Sequence, residues 1–306
     1  MKYFWKKYKK YQARQEEKRQ ALLRQQEDER RALLRQQEDE RRALLRQQED
    51  ERRANALQSI VAQLQSLLKP EQGIPVIMVS YNNGVYVENM ANQLHQHGIR
   101  PIVIDNASTH VNSLNILQDL LANQKIDLVS SSYNFGHMVG FLPDVYAILP
   151  EIFAYTDPDL QLNSNLPKNF LHILADLTQQ FQSFKAAFAL PYSLPNATAG
   201  EIAFNVAEHQ VPIFVPEKTF TPAEWEKQYW QRPLKHDTLE IYAARTDTTF
   251  AVYRKSNYMY DFYDAVRVAG DFSAVHLPWF PELDVMSAAD KQIYLQNNIS
   301  ATWGKS

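Results

Sequence analysis

The sequence predicts an α/β domain with a mixed, mainly parallel sheet between helices, preceded by a long helical arm. Three observations carry that prediction. From 74 to 156, short apolar runs alternate with helix-period segments in the order β-turn-α-β-turn-α-β, which is how a parallel sheet covered by helices reads. Every one of those apolar runs ends in a polar turn. Ahead of them, 12–69 contains neither Gly nor Pro and is dense in strong helix formers.

The arm has two parts. Residues 21–31, 32–42 and 43–53 are three copies of ALLRQQEDERR, each with three Arg and three acids. Glu27–Arg31, Glu38–Arg42 and Glu49–Arg53 fall at the favourable i,i+4 spacing. The 11-residue period gives about 3.67 residues per turn, so the stripe of Ala-Leu-Leu is straight or slightly right-handed, but thin. Beyond it, Leu57, Ile60, Val61, Leu64, Leu67 and Leu68 form a true buried face. That face either zips to a second chain or docks on the domain that follows. Pro70, Gly73 and Pro75 end the helix. The arm, 12–70, is expected to act as a spacer and to make a homo-oligomer. Residues 1–11 (MKYFWKKYKKY) hold five lysines, five aromatics and no acid. On a helix they read as mixed around the axis, and the stretch is either a weak contact to an anionic membrane or a basic tail.

Within 74–306, the first strand is 74–79, followed by the turn Ser80-Tyr81-Asn82-Asn83-Gly84 and a helix over 87–96 that His97-Gly98 stops. A second strand, 102–104, ends in Asp105-Asn106, and a second helix covers 111–122. The third strand, 126–129, leads into the polar 130–140 stretch. After Pro150, Ile152–Tyr155 ends in Asp157-Pro158-Asp159. Pro158 cannot continue a ladder, so the strand stops there with two carboxylates one residue apart. Burying two unpaired acids is costly, and a hard divalent cation that also binds phosphate oxygens resolves it. The same residues also read as an ordinary turn before a helix over 166–178. Position favours the cation, because ligands of such sheets bind at the carboxyl ends of the strands.

Composition narrows the function classes. The chain has 306 residues, 45% hydrophobic and 12% aromatic, with a net charge of −3, so it has a substantial core and no bulk affinity for nucleic acid. It has no cysteine, which excludes disulfides and thiolate metal sites. No apolar run reaches the about 18 residues that span a bilayer, and the N-terminus lacks a secretory signal. The expected location is the cytoplasm, with peripheral contact to the inner membrane. Neither a G-x-G-x-x-G nor a G-x-x-x-x-G-K sequence is present.

The stretches VSYNN (79–83), VIDNAST (103–109), YNFGHMVG (133–140), YTDPDL (155–160), DTTFAVYRKS (247–256) and RVAGDFSAVHLPWF (267–280), in that order, resemble the family 2 glycosyltransferases of GT-A fold over about 74–290. The resemblance is to bacterial enzymes of surface polysaccharide or lipooligosaccharide synthesis. It implies sugar transfer from a nucleoside-diphosphate donor, a UDP-sugar by expectation, to a glycan or lipid-linked acceptor, with inversion and with Mn²⁺ or Mg²⁺. It further implies that Ser80, Tyr81 and Asn82 contact the nucleotide, Asp105 the base, Asn134 and Gly136 the ribose and diphosphate, and Asp157 and Asp159 the ribose and metal.

The chemistry needs a Lewis acid for the departing diphosphate and a base for the attacking hydroxyl. His276 reads either as a third metal ligand or as a histidine packed beside Trp279 and Phe280. Asp247 is the first choice for the base and Asp271 the second, followed by Glu282 and Asp284. Tyr258 to Tyr263 read as core, while Trp225, Tyr229 or Trp230 can stack on a sugar. Two other readings compete with this one. A nucleotidyltransferase of similar fold would call for a basic Gly-rich first loop, and a non-catalytic coiled-coil scaffold would call for a broken acid motif.

Overall fold

The computed structural model describes residues 1–69, 73–191, 213–215 and 218–297. The chain divides into two units, Met1–Asn55 and Ala56–Ser306. Helix α1 (Lys2–Leu67) supplies nearly all of the first and opens the second. In the first unit the repeat works as its spacing dictates. Arg31 reaches Glu27 at 2.6 Å and Arg42 reaches Glu38 at 2.8 Å. Gln25, Gln36 and Gln47 donate to Glu29, Glu40 and Glu51, each at 2.9 Å. Such pairs add a few tenths of a kcal/mol apiece, roughly 0.2–0.5. The repeated leucines, from Leu22 to Leu45, are 54–57% exposed.

At Ala56 the apolar positions turn inward. Ile60 and Leu64 are fully buried and pack with Ile77, Ile104 and Phe153, while Leu57, Val61, Leu67 and Leu68 lie against the same cluster. Of the two partners the sequence left open for this face, the chain's own domain is the one it meets. An oligomer formed through 57–68 would therefore have to compete with an intramolecular core. Gln63 adds a polar clamp: its Nε2 donates to the Ser130 carbonyl and its Oε1 accepts from the Ser130 amide, both at 3.0 Å. Ile60→Ala is expected to cost about 2–5 kcal/mol in urea unfolding, as buried large-to-small changes do. A cost under about 1 kcal/mol would mean that the helix does not belong to the domain core.

The remaining elements are β1 (Val76–Ser80), α2 (Gly84–Gln96), β2 (Ile102–Asp105), α3 (Val111–Ala122), β3 (Asp127–Ser130), α4 (Pro143–Ile148), β4 (Ile152–Thr156), β5 (Leu160–Leu162), α5 (Phe170–Gln180), β6 (Lys185–Phe188), β7 (Ile213–Val215), β8 (Lys218–Phe220), α6 (Pro222–Glu226), β9 (Pro233–Leu234), β10 (Ile241–Arg245), β11 (Ala251–Arg254), β12 (Asp264–Val268), β13 (Ala274–His276) and α7 (Ala288–Asn297). Among the described residues the main sheet has nine strands in the order β3-β2-β1-β4-β11-β6-β12-β10-β9. β3, β2, β1 and β4 are parallel neighbours, as are β6 and β12. β11 runs antiparallel between β4 and β6, and β10 antiparallel between β12 and β9. Seven strands therefore run one way and two the other. This is the mixed, mainly parallel sheet expected of a GT-A-like fold, with the long helix ahead of it.

The parallel strands β1, β2, β4 and β6 are buried on both faces, as helix-covered parallel strands are. Val76 and Met78 of β1 face the cluster that contains Val87, Leu94 and Leu174, and Ile77 and Val79 face the one that contains Ile60, Leu64 and Tyr253. One expected boundary shifts. The helix expected over 166–178 is α5, starting at Phe170. β11 begins only at Ala251, after Thr248 has turned its hydroxyl to Asp157.

Candidate functional site

A cleft of about 580 Å³ opens at the carboxyl ends of β1 to β4. Tyr81 and Asn83 reach it from the loop after β1, Asn106 from the loop after β2, Asn134 and Gly136 from beyond β3, and Asp157 and Asp159 from the end of β4. Glu226, Tyr229, Asp247, Arg267 and His276 also line it.

The acid pair is fixed by backbone before its side chains come into play. The Asp157 amide donates to the Thr248 carbonyl at 3.2 Å, and the Leu277 amide donates to the Asp159 carbonyl at 2.9 Å. β13 pairs with β5, placing His276 opposite Leu160. As a result His276 Nε2 lies 3.3 Å from Asp159 Oδ2, with its ring against Trp279 at 4.4 Å. Thr248 Oγ1 donates to Asp157 Oδ2 at 2.5 Å. Burial first, and then the Asp159 charge, push the Asp157 carboxyl up to about 7. Asp159 is 6% exposed, and its Oδ1 is buried without a hydrogen-bond partner among the described residues. Mutual repulsion and an orphaned carboxylate oxygen are what a pair of acids shows when it is built to share a cation.

The three-ligand set expected of Asp157, Asp159 and His276 is not formed: among the described residues, no group of three His, Asp or Glu side chains is arranged to hold an ion. His276 instead places its Nε2 beside Asp159 Oδ2, a contact that becomes an ion pair when the imidazole is protonated. The two carboxylates suit a Mg²⁺- or Mn²⁺-type site in which substrate phosphates and water supply the other oxygens.

The predicted nucleotide residues separate into two groups. Tyr81, Asn134 and Gly136 line the cleft; Ser80, Asn82 and Asp105 do not. Ser80 Oγ donates to Asn83 Oδ1 at 2.8 Å. Asn82, at φ 53°, accepts from the amides of Thr109 and His110 at 2.7 and 2.9 Å, tying the first loop to the second. Asp105 accepts from the Ser108 amide, and burial raises its carboxyl above the ordinary range. These three side chains brace the loops from within. The 134–136 turn is held by Asn106, which sequence reasoning did not single out. Its Nδ2 donates to the Gly136 carbonyl and its Oδ1 accepts from the Phe135 amide, both at 2.8 Å. Asn134 Oδ1 accepts from the Gly136 amide at 2.8 Å, with Gly136 at φ 78°.

Of the candidate bases, Asp247 lines the cleft and Asp271 does not; Asp271 lies exposed in the short 3-10 turn Gly270–Phe272. Glu282 is exposed outside the cleft lining. Asp284 is engaged by the Tyr86 hydroxyl at 2.7 Å and by Lys291 at 2.9 Å. Trp225 and Tyr229 line the cleft, whereas the Trp230 indole donates to the Leu190 carbonyl. The run read as core is mostly not core: Phe262 packs against the buried cluster around Tyr253, but Tyr258, Met259, Tyr260 and Tyr263 are exposed, because the chain turns at the surface between β11 and β12.

A buried ion pair also lines the cleft. Arg267 Nη1 meets Glu226 Oε2 at 2.6 Å, the side chains being 5% and 3% exposed. Arg267 also donates through Nε to the Arg245 carbonyl and lies over the Tyr229 ring at 4.3 Å. Burial raises the Glu226 carboxyl, although Arg267 opposes the rise. Two signals in the sequence point here. Thr221-Pro222-Ala223-Glu224 is a capping box with Pro at the first helical position, and it sets α6 in place. An arginine inside the apolar run of β12 also demands a partner. Glu226→Ala is expected to cost about 3–5 kcal/mol in urea unfolding by stranding a buried charge. The double change Glu226→Leu with Arg267→Met should recover most of that; additivity of the two losses would count against a coupled pair.

No protein-family model matches the chain, nor does any curated protein sequence. Among solved structures, one similar chain is the mannosyltransferase PcManGT from Pyrobaculum calidifontis in complex with GDP-Man and Mn²⁺, at 13% identity and a TM-score of 0.39, covering 74% of this chain and 66% of that one. Another is S. aureus TarS 1–349, at 15% identity and a TM-score of 0.30, covering 52% of this chain and 50% of that one. The chain thus spans between half and two thirds of the chains it resembles.

Proposed function

We propose that this chain is a metal-dependent glycosyltransferase that moves a sugar from a nucleoside-diphosphate donor to a hydroxyl of a glycan or lipid-linked acceptor. The observation that carries the reading is the paired acid at the end of β4, with Asp159 Oδ1 buried and unbonded at the edge of a cleft. A bound divalent cation would supply charge neutralisation for the leaving diphosphate.

The chain's own residues do the rest. Asp157 and Asp159 would hold that cation, Thr248 keeping Asp157 in orientation and His276 keeping Asp159. Tyr81, Asn134 and Gly136 form the wall against which the nucleotide would lie. Asp247, exposed at the cleft, is placed to accept the proton of the attacking hydroxyl. Trp225 and Tyr229 offer rings of the kind that stack on a sugar.

The test is thermal stabilisation by a panel of nucleoside-diphosphate sugars with Mn²⁺. At least one is expected to raise the melting temperature by several degrees, about 4–8 °C per kcal/mol in a small domain and less in one of this size. That response should disappear on chelation. A panel with no metal-dependent response would remove the reading.

A further inference from the structure

In the sequence, the lysines and rings of 1–11 read as mixed around an axis. The structure makes this stretch helical from Lys2, and the helix sorts them. At about 100° per residue, Met1, Phe4, Trp5, Tyr8 and Tyr11 fall within one arc of about 120°. Lys2, Lys6, Lys9 and Lys10 border that arc on one side and Lys7 on the other. Tyr3 is the ring left outside it, and Lys7 Nζ lies 5.3 Å from its centroid. Within the arc, Trp5 meets Tyr8 edge to face at 6.3 Å. Phe4 is 82% exposed, Trp5 64% and Tyr11 63%. The first acid in the chain is Glu16.

We propose that the first three turns of α1 are an interfacial helix that docks on an anionic phospholipid surface. An apolar arc rich in Trp and Tyr, bordered by lysines on both sides, fits the boundary between headgroups and acyl chains. The lysines are drawn to the anionic leaflet, and the rings enter at headgroup level. Among the described residues no helix is long and apolar enough to cross a membrane, so the helix would lie in the surface plane. A polyanion such as nucleic acid would use the lysines but has no place for a continuous arc of rings. This inference is independent of the glycosyltransferase reading.

The test is flotation of the full chain with vesicles of phosphatidylcholine, with and without phosphatidylglycerol. The chain is expected to float with the anionic vesicles and to be released by salt. Gln is a good helix former, so Phe4→Gln and Trp5→Gln remove the ring and keep the helix. Each should lower partitioning about tenfold; Tyr3→Gln, outside the arc, should lower it less than about twofold. Lys6→Glu should also lower it about tenfold. Three outcomes would overturn the proposal: no flotation of the unaltered chain, equal losses from Tyr3→Gln and Phe4→Gln, or sensitivity to Lys6→Glu alone, which marks a polyanion site.

Discussion

Asp159→Asn is expected to lower nucleotide-sugar turnover by about 10³-fold or more, since a Lewis acid supplies several kcal/mol of transition-state charge stabilisation. The fold should be at least as stable as before. Asn has the shape of Asp, and its amide can still meet His276, which lies 3.3 Å from Asp159 Oδ2. What it removes is a charge whose Oδ1 has no partner among the described residues and which helps push the Asp157 carboxyl up to about 7. Activity and stability should therefore move in opposite directions. The measurement is turnover beside urea unfolding for both proteins, without and with Mn²⁺. Turnover within about tenfold of the unaltered chain would show that the pair holds no cation used in the reaction. A loss of stability matching the loss of turnover would show that Asp159 is structural.

The parts of this site that the sequence revealed are the ones encoded locally. The strands of the first half are short apolar runs closed by polar turns, and their parallel order follows from the helices between them. Asp157 and Asp159 are legible because Pro158 ends a strand between them. What decides their chemistry is not local. His276 reaches Asp159 only because β13 pairs with β5, with Val275 opposite Gln161 far back in the chain, and no spacing rule announces that pairing. Glu226 and Arg267 are likewise brought together by separate elements, α6 and β12. The face over 57–68 shows the opposite case: its period says that something covers it, and only the fold says that Ile77, Ile104 and Phe153 do. In 1–11, reading the rings and lysines as a mixture missed an arc that the helix makes plain.

Lys185→Met is expected to make the protein more stable near pH 6, by roughly 3 kcal/mol, and less active. Lys185 is fully buried in β6. Its Nζ lies 3.9 Å from the Phe262 ring centroid and 5.0 Å from that of Tyr253, and it donates to the Asp247 carbonyl at 3.1 Å. Burial, only partly offset by Asp247, brings the ammonium down from 10.5 to about 7. A lysine whose folded value lies below its unfolded one costs stability in full below pH 7, and that cost is relieved as the pH rises from 7 to 10.5. The shift is worth roughly 4–5 kcal/mol at about 1.4 per unit, and Met forfeits about 1 kcal/mol with the hydrogen bond. The advantage of Met should therefore be largest at pH 6 and vanish towards pH 10.5. The cost of the lysine makes sense at the cleft. The carbonyl it holds belongs to Asp247, the adjacent Thr248 hydroxyl orients Asp157 at 2.5 Å, and the Thr248 carbonyl accepts from the Asp157 amide. Releasing that segment is expected to lower kcat about tenfold or more, as small misplacements of reacting groups do. Urea unfolding of both proteins across the pH range, beside turnover, measures both effects. A stability difference that does not change with pH would mean that the buried amine does not titrate in this range, and unchanged turnover would mean that it does not position the acid site.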